Sequence, residues 1–261
     1  MTLFRHEMKR AWKALLIWTL AIGFFLAIAI FVYPEMKNQM DQLSEAFASM
    51  GSFSSAFGMD IMDYGSLTGF YGVEIESTLG LGGALFAALI GIGMLANEEK
   101  RGTAEFLLTH PVRRSEVVTA KLLAMLAQIA ILSVTVFLMT VGSIAAIGEA
   151  VPWKEAVLLH TAYFLMMVEL GCICFGISAS LWKGGMGIGL GLAIAAYILN
   201  IIANLSDKVE FLKFITPFGY ANGSVIVSDG RLDGMKILVG MGIAAAAAAY
   251  AYVKYSKKDI R

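Results

Sequence analysis

The chain has 261 residues, 58% of them hydrophobic and 15% charged, and its mean hydropathy is +0.73. A soluble domain of this size has too little interior to hide so much apolar surface. Twenty Lys and Arg balance twenty Asp and Glu, which excludes the net basic surface that nucleic acid selects.

The apolar residues gather into long runs, the pattern of an all-α membrane protein. At the N-terminus, "TLFRHEMKRAWKALL" is amphipathic. Phe4, Met8 and Trp12 share a helical face with Leu15, beside a basic stripe of Arg5, Lys9 and Lys13. Such a helix suits the membrane–water interface, with Trp12 near the headgroups. The other reading is an extension of the first span, expected over 14–33. That run is too long for a signal peptide and lacks a small-residue cleavage site, so it reads as a retained anchor.

Residues 35–77 read as a long outer loop. Within it Met36, Met40, Leu43 and Phe47 recur at helical steps, and a Gly-, Ser- and aromatic-rich stretch follows. The second span is expected over 79–96. Next comes "NEEKRGTAEFLLTHPVRRSEVVTAKLL" (97–123), dense in charge between two apolar runs. "GTAEFLLTH" predicts a short helix with Ala104, Leu107 and Leu108 on one face, stopped by Pro111. Ser115 is a candidate N-cap for the helix that follows, with Glu116 at its positive end and Lys121 at the membrane boundary. A Leu pair exposed in this short helix asks for a protein partner.

The third span is expected over 122–147, the fourth over 156–181, the fifth over 186–203 and the sixth over 235–253. A tight "WKGG" turn makes the fourth and fifth a hairpin. Between the last two spans, "FLKFITPFGYANGSVIVSDGR" is too broken to cross and fits a partly re-entrant segment buried in protein. Glu169 stands near the middle of the fourth span. A carboxylate at that depth must face protein or water, be paired, or be protonated. It is a candidate for the translocation path or for a structural hydrogen bond. Gln128 and Asn200 are weaker path candidates, with interhelical hydrogen bonding as their default. Cys172 and Cys174 point about 200° apart on a helix, which predicts apolar packing rather than a disulfide or a metal pair. Gly185, Gly187, Gly189 and Gly191 give the fifth span a small-residue face for close packing.

Lys and Arg set the topology. The segment before the first span, the 97–121 loop and the C-terminal tail are basic, whereas 35–77 holds Lys37 against seven acids. The positive-inside rule then places both termini and the 97–121 loop in the cytoplasm. No G-x-x-x-x-G-K-[ST] phosphate loop, H-E-x-x-H zinc motif or G-x-S-x-G elbow occurs. No catalytic or metal site is expected.

The 97–123 stretch resembles the intracellular loop of ABC-2-type ABC transporter permeases. That family's Glu, Gly-Thr, Leu run, Pro and basic residues match Glu99, Gly102, Thr103, Leu107, Leu108, Pro111, Arg113 and Arg114, with Arg101 and Glu105 in the same stretch. The family's third span is entered through a Lys, here Lys121. The six-span layout, the amphipathic N-terminal helix, "TPFGY" and the tail "YSKKDIR" are similar too. The resemblance implies a bacterial plasma-membrane exporter subunit that pairs with a second permease chain, either identical or a similar paralogue. Each chain would engage a separate ATPase subunit, which holds the ATP and Mg, so this chain needs no cofactor of its own. Gly102–Leu108 would be the coupling helix. A hydrophobic or amphipathic cargo (peptide, antibiotic or lipid-like) would enter from the inner leaflet. Membrane lipids are expected neighbours. The rival reading is an ATP-independent channel or secondary transporter, which would need coupling-ion sites.

Overall fold

The computed structural model describes residues 2–37, 51, 54, 66–100, 113–181, 185–205 and 207–258. Among these the chain is helical, with six helices long and apolar enough to cross a membrane. They run alternately up and down.

The first span is one helix, Thr2–Lys37, which continues through Pro34. The amphipathic N-terminal stretch is the extension of this helix and not a separate element. Phe4 and Met8 are half-buried and Trp12 is exposed. The packed face runs instead through Glu7, Leu15, Thr19 and Ile22. The predicted helix around Met36–Phe47 falls outside the described residues beyond Lys37.

The second span starts earlier than its hydropathy suggests. It comprises an α-helix, Leu67–Ile75, a π-helical turn, Glu76–Gly80, and a further α-helix, Leu81–Lys100. Ser66 caps its start, accepting from the Gly69 N–H at 3.1 Å. The acids and small residues of 66–80 make this turn of chain look like loop in the sequence. It crosses because Glu76 finds a buried partner, described below.

The third span is Arg114–Ala146, the fourth Trp153–Ser178, the fifth Met186–Leu205 and the sixth Gly234–Ser256. The third begins one residue before the expected cap: Arg113 is the extended N-cap, without a side-chain cap bond, and Ser115 sits inside the first turn. Residues 182–184 of the "WKGG" turn lie outside the described set. Between the fifth and sixth spans come two 3₁₀ turns, Asp207–Phe214 and Pro217–Gly219, and a short helix, Gly223–Asp229. Thr216, Phe218, Tyr220, Asn222 and Ser224 in this stretch are buried.

The second and fourth spans form the centre of the bundle, and the fifth and sixth are the most exposed. The second packs on the fourth and fifth, the first on the third, and the sixth on the fourth. Glycines permit the central contact. A Cβ at Gly91 would strike the Gly171 carbonyl oxygen and come within 3.0 Å of the Cys174 Cβ. Cys172 and Cys174 are both buried and free. Gly91→Val is therefore expected to destabilise the chain by about 1–3 kcal/mol or more through overpacking. Gly142→Val, where nothing lies within 4 Å, should stay within about 0.5 kcal/mol. Thermal unfolding of the two variants in detergent checks the contrast.

Candidate functional site

At the end of the bundle where the first span begins, the first, second, third and fifth spans enclose a cavity of about 410 Å³. Its polar rim is Glu7 and Arg10. Its walls include Trp18, Phe86 and Met186, and Gln128 reaches it from the third span. Gln128 is fully buried. Its side-chain N–H₂ donates to the Ala124 carbonyl at 3.1 Å, while its Oε1 has no partner among the described residues. The cavity thus has a charged mouth, apolar walls and one unclaimed acceptor within. That is the shape and chemistry of a site for an amphipathic molecule.

The rim is held by an ion pair. Lys121 Nζ and Glu7 Oε1 lie 2.6 Å apart, with side chains 2% and 10% exposed. Lys121, expected at the membrane boundary, anchors the first span to the third. Glu7 gave no strong signal in the sequence. It sits among basic residues, yet it is in helical phase with Leu15, Thr19 and Ile22.

At the opposite end, a second cavity of about 400 Å³ lies between the broken 217–229 segment and the start of the sixth span. Tyr220, Asn222, Arg231, Asp233 and Lys236 line it. The Lys236 side chain, hydrogen-bonded to Asp233, holds that carboxyl below its usual range. Asp233 also caps the sixth span through the Met235 and Lys236 N–H groups.

Two carboxylates fasten the broken segment to the bundle. Glu169 Oε2 accepts from the Tyr220 hydroxyl at 2.8 Å. Glu76 Oε2, presented by the π-helical turn, accepts from the Gly223 N–H at 2.8 Å. Gly223 is required there because a Cβ would strike the Gly72 carbonyl oxygen. The Thr216 hydroxyl donates to the Ala196 carbonyl of the fifth span at 2.8 Å. Glu169 is thus engaged with Tyr220, and neither it nor Asn200 is among the residues lining the first cavity. Asn200 lies on the fifth span's buried face with Gly189, Ala193, Ala196 and Ala203. Glu76 was legible only as an outer-loop acid.

Of the predicted loop residues, Arg101, Gly102, Thr103, Glu105, Leu107, Leu108 and Pro111 lie outside the described residues. Glu99 falls in the last turn of Leu81–Lys100. Arg114 is placed, and it does something the loop motif does not foretell. Its guanidinium donates to the carbonyls of Tyr255, Ser256 and Lys258, at 3.5, 3.1 and 2.6 Å. The Tyr255 and Ser256 carbonyls belong to the last turn of the sixth span, which leaves them without intrahelical donors at the negative end of its dipole. Lys258 Nζ in turn donates to the Leu181 carbonyl at 2.6 Å, just past the fourth span. Thr119 and Tyr252 pair through their hydroxyls at 2.8 Å, as do Ser180 and Tyr250. The start of the third span, the end of the sixth and the end of the fourth are therefore stitched together.

A family model described as ABC-2 family transporter protein matches residues 1–260. No curated protein matches the chain in sequence. The match spans nearly the whole chain and agrees with six apolar helices. The chain belongs to the ABC-2 transporter family, and it is a multi-pass membrane permease of an ABC transporter.

Proposed function

We propose that this permease exports a hydrophobic or amphipathic cargo from the bacterial cytoplasm, driven by ATP and Mg bound to a separate ABC ATPase. It works as a pair of permease chains, with both termini and the 97–121 loop inside. The observation that carries this reading is the first cavity, with its charged rim at Glu7 and Arg10 and its apolar walls. Under the positive-inside rule it faces the inner leaflet, where an amphipathic molecule arrives with its polar end at the rim. The second cavity lies at the other end, beyond the packed centre of the bundle. ATP binding would move the 97–121 loop. The Arg114 stitch gives that movement a direct hold on the sixth and fourth spans. ATP drives transport only if the ATPase's closed form favours one of the two access states.

The test is co-reconstitution with the partner ATPase into inside-out vesicles, with a fluorescent amphipathic peptide and ATP added outside. ATP-dependent accumulation is expected. Ala14→Trp, which fills the cavity from an exposed wall position, should lower accumulation by roughly tenfold, equivalent to about 1.4 kcal/mol of barrier, while ATP hydrolysis continues. Unchanged uptake by this variant would remove the cavity from the cargo's path.

A further inference from the structure

On the membrane-facing side of the third and fourth spans lies a groove of about 300 Å³, separate from both cavities described above. Its lining is almost wholly apolar and carries no Asp, Glu, Lys or Arg. Ala130, Val134, Phe137, Val157 and Phe164 contribute most of it. Three polar side chains interrupt this surface, the exposed Thr161 and two that are buried. His160 is 6% exposed and Ser133 is 7% exposed. Both ring nitrogens of His160 and the Ser133 hydroxyl have no hydrogen-bond partner among the described residues. Tyr71 stacks beside the His160 ring and Phe137 meets it edge-on, with centroids 6.4 and 5.0 Å away. Both neighbours hold the ring by its flat and apolar surfaces.

A buried imidazole and hydroxyl left unpaired in hydrocarbon are costly, because no bulk water is there to satisfy them. A neutral imidazole offers one donor and one acceptor, and a serine hydroxyl offers a donor. The missing partner must be uncharged, because nothing in the groove would neutralise a charge. It must also bring apolar bulk to cover the walls. Val134 and Leu138 of the third span and Val157 of the fourth are exposed around the groove, as on a surface wetted by lipid. The groove's fourth-span residues, 157–164 with His160 among them, lie in the first half of Trp153–Ser178, toward the end that begins at Trp153.

We propose that the groove is a binding site for a diacyl membrane lipid of the leaflet nearer Trp153. One acyl chain lies between the third and fourth spans, and the ester carbonyls accept from His160 and Ser133. The site does not depend on the cargo or the direction of transport.

The experiment uses the full chain in phosphatidylglycerol vesicles doped with a phosphatidylethanolamine bearing a diazirine high on one acyl chain. After photolysis, adducts are mapped by mass spectrometry. Adducts are expected to concentrate on 130–137 and 157–164, above those on the exposed first-span residues Phe24 and Phe25. His160→Phe and the milder Ser133→Ala should each lower groove labelling several-fold and leave first-span labelling unchanged. Diacylglycerol should compete, whereas an alkane of equal chain length should not. The proposal is overturned if labelling is uniform over the apolar surface. It is equally overturned if Ser133→Ala and a folded His160→Phe leave labelling intact, or if the alkane competes as well as the diacylglycerol. A groove left bare while other faces label would show that another polypeptide covers it, which also overturns the proposal.

Discussion

Replacing Lys121 by methionine is expected to destabilise the folded chain by about 3–5 kcal/mol, the usual cost of removing one partner from a buried ion pair. The variant strands the Glu7 carboxylate against the third span, where its side chain is 10% exposed. Glu7→Gln should cost a similar amount, because it removes the charge opposite an ammonium that is 2% exposed. The double variant Glu7→Gln, Lys121→Met should recover most of the loss, because two well-packed neutral groups can be nearly as stable as the pair they replace. Equilibrium unfolding in mixed micelles, followed by circular dichroism, measures all three. If either single variant costs less than about 1 kcal/mol, the pair is solvated in the manner of a surface salt bridge, and the rim of the first cavity is wet rather than packed.

The second large effect is functional. Leu107→Asp with Leu108→Asp is expected to abolish ATP-driven transport while leaving the helical content and thermal unfolding of the isolated permease unchanged. The loop's Leu pair has the chemistry of an anchor seated in a partner's apolar cleft, and a carboxylate placed there would be desolvated without a counter-charge. The readouts are co-purification with the ATPase and stimulation of its hydrolysis by the permease. Both should fall together. If binding and ATP-driven transport survive the double substitution, the pair is not the part that the ATPase grips, and the Arg114 stitch becomes the better candidate for passing force to the spans.

These two predictions come from different kinds of information. Leu107 and Leu108 are singled out from the sequence alone, because a charged, Gly- and Pro-bracketed stretch between two spans leaves apolar side chains unaccounted for. The Lys121–Glu7 pair was not legible, because its members lie 114 residues apart and each reads alone as an ordinary interfacial charge. Glu169 shows the middle case. Its depth in the fourth span announced that it needs a partner, but Tyr220 could not be chosen from the sequence. Glu76 shows the opposite failure. Its charge lowered the local hydropathy and hid the start of the second span, although the Gly223 backbone N–H offsets part of that cost.

The sequence by itself determined that the chain spans a membrane six times. Hydrophobic transfer is a local property, summed over about 20 residues, and a run of that length has no other stable home. The family and the charged loop were likewise written in contiguous residues. Only the tertiary structure decided which polar groups meet. Hydrogen bonds act over about 3 Å, and helix rotation, helix tilt and the fold of the 207–229 segment set those distances. The Lys121–Glu7 anchor, the two carboxylates that hold the broken segment, the Arg114 grip on the last helix and the unpaired His160 all arise where residues remote in the chain are brought face to face.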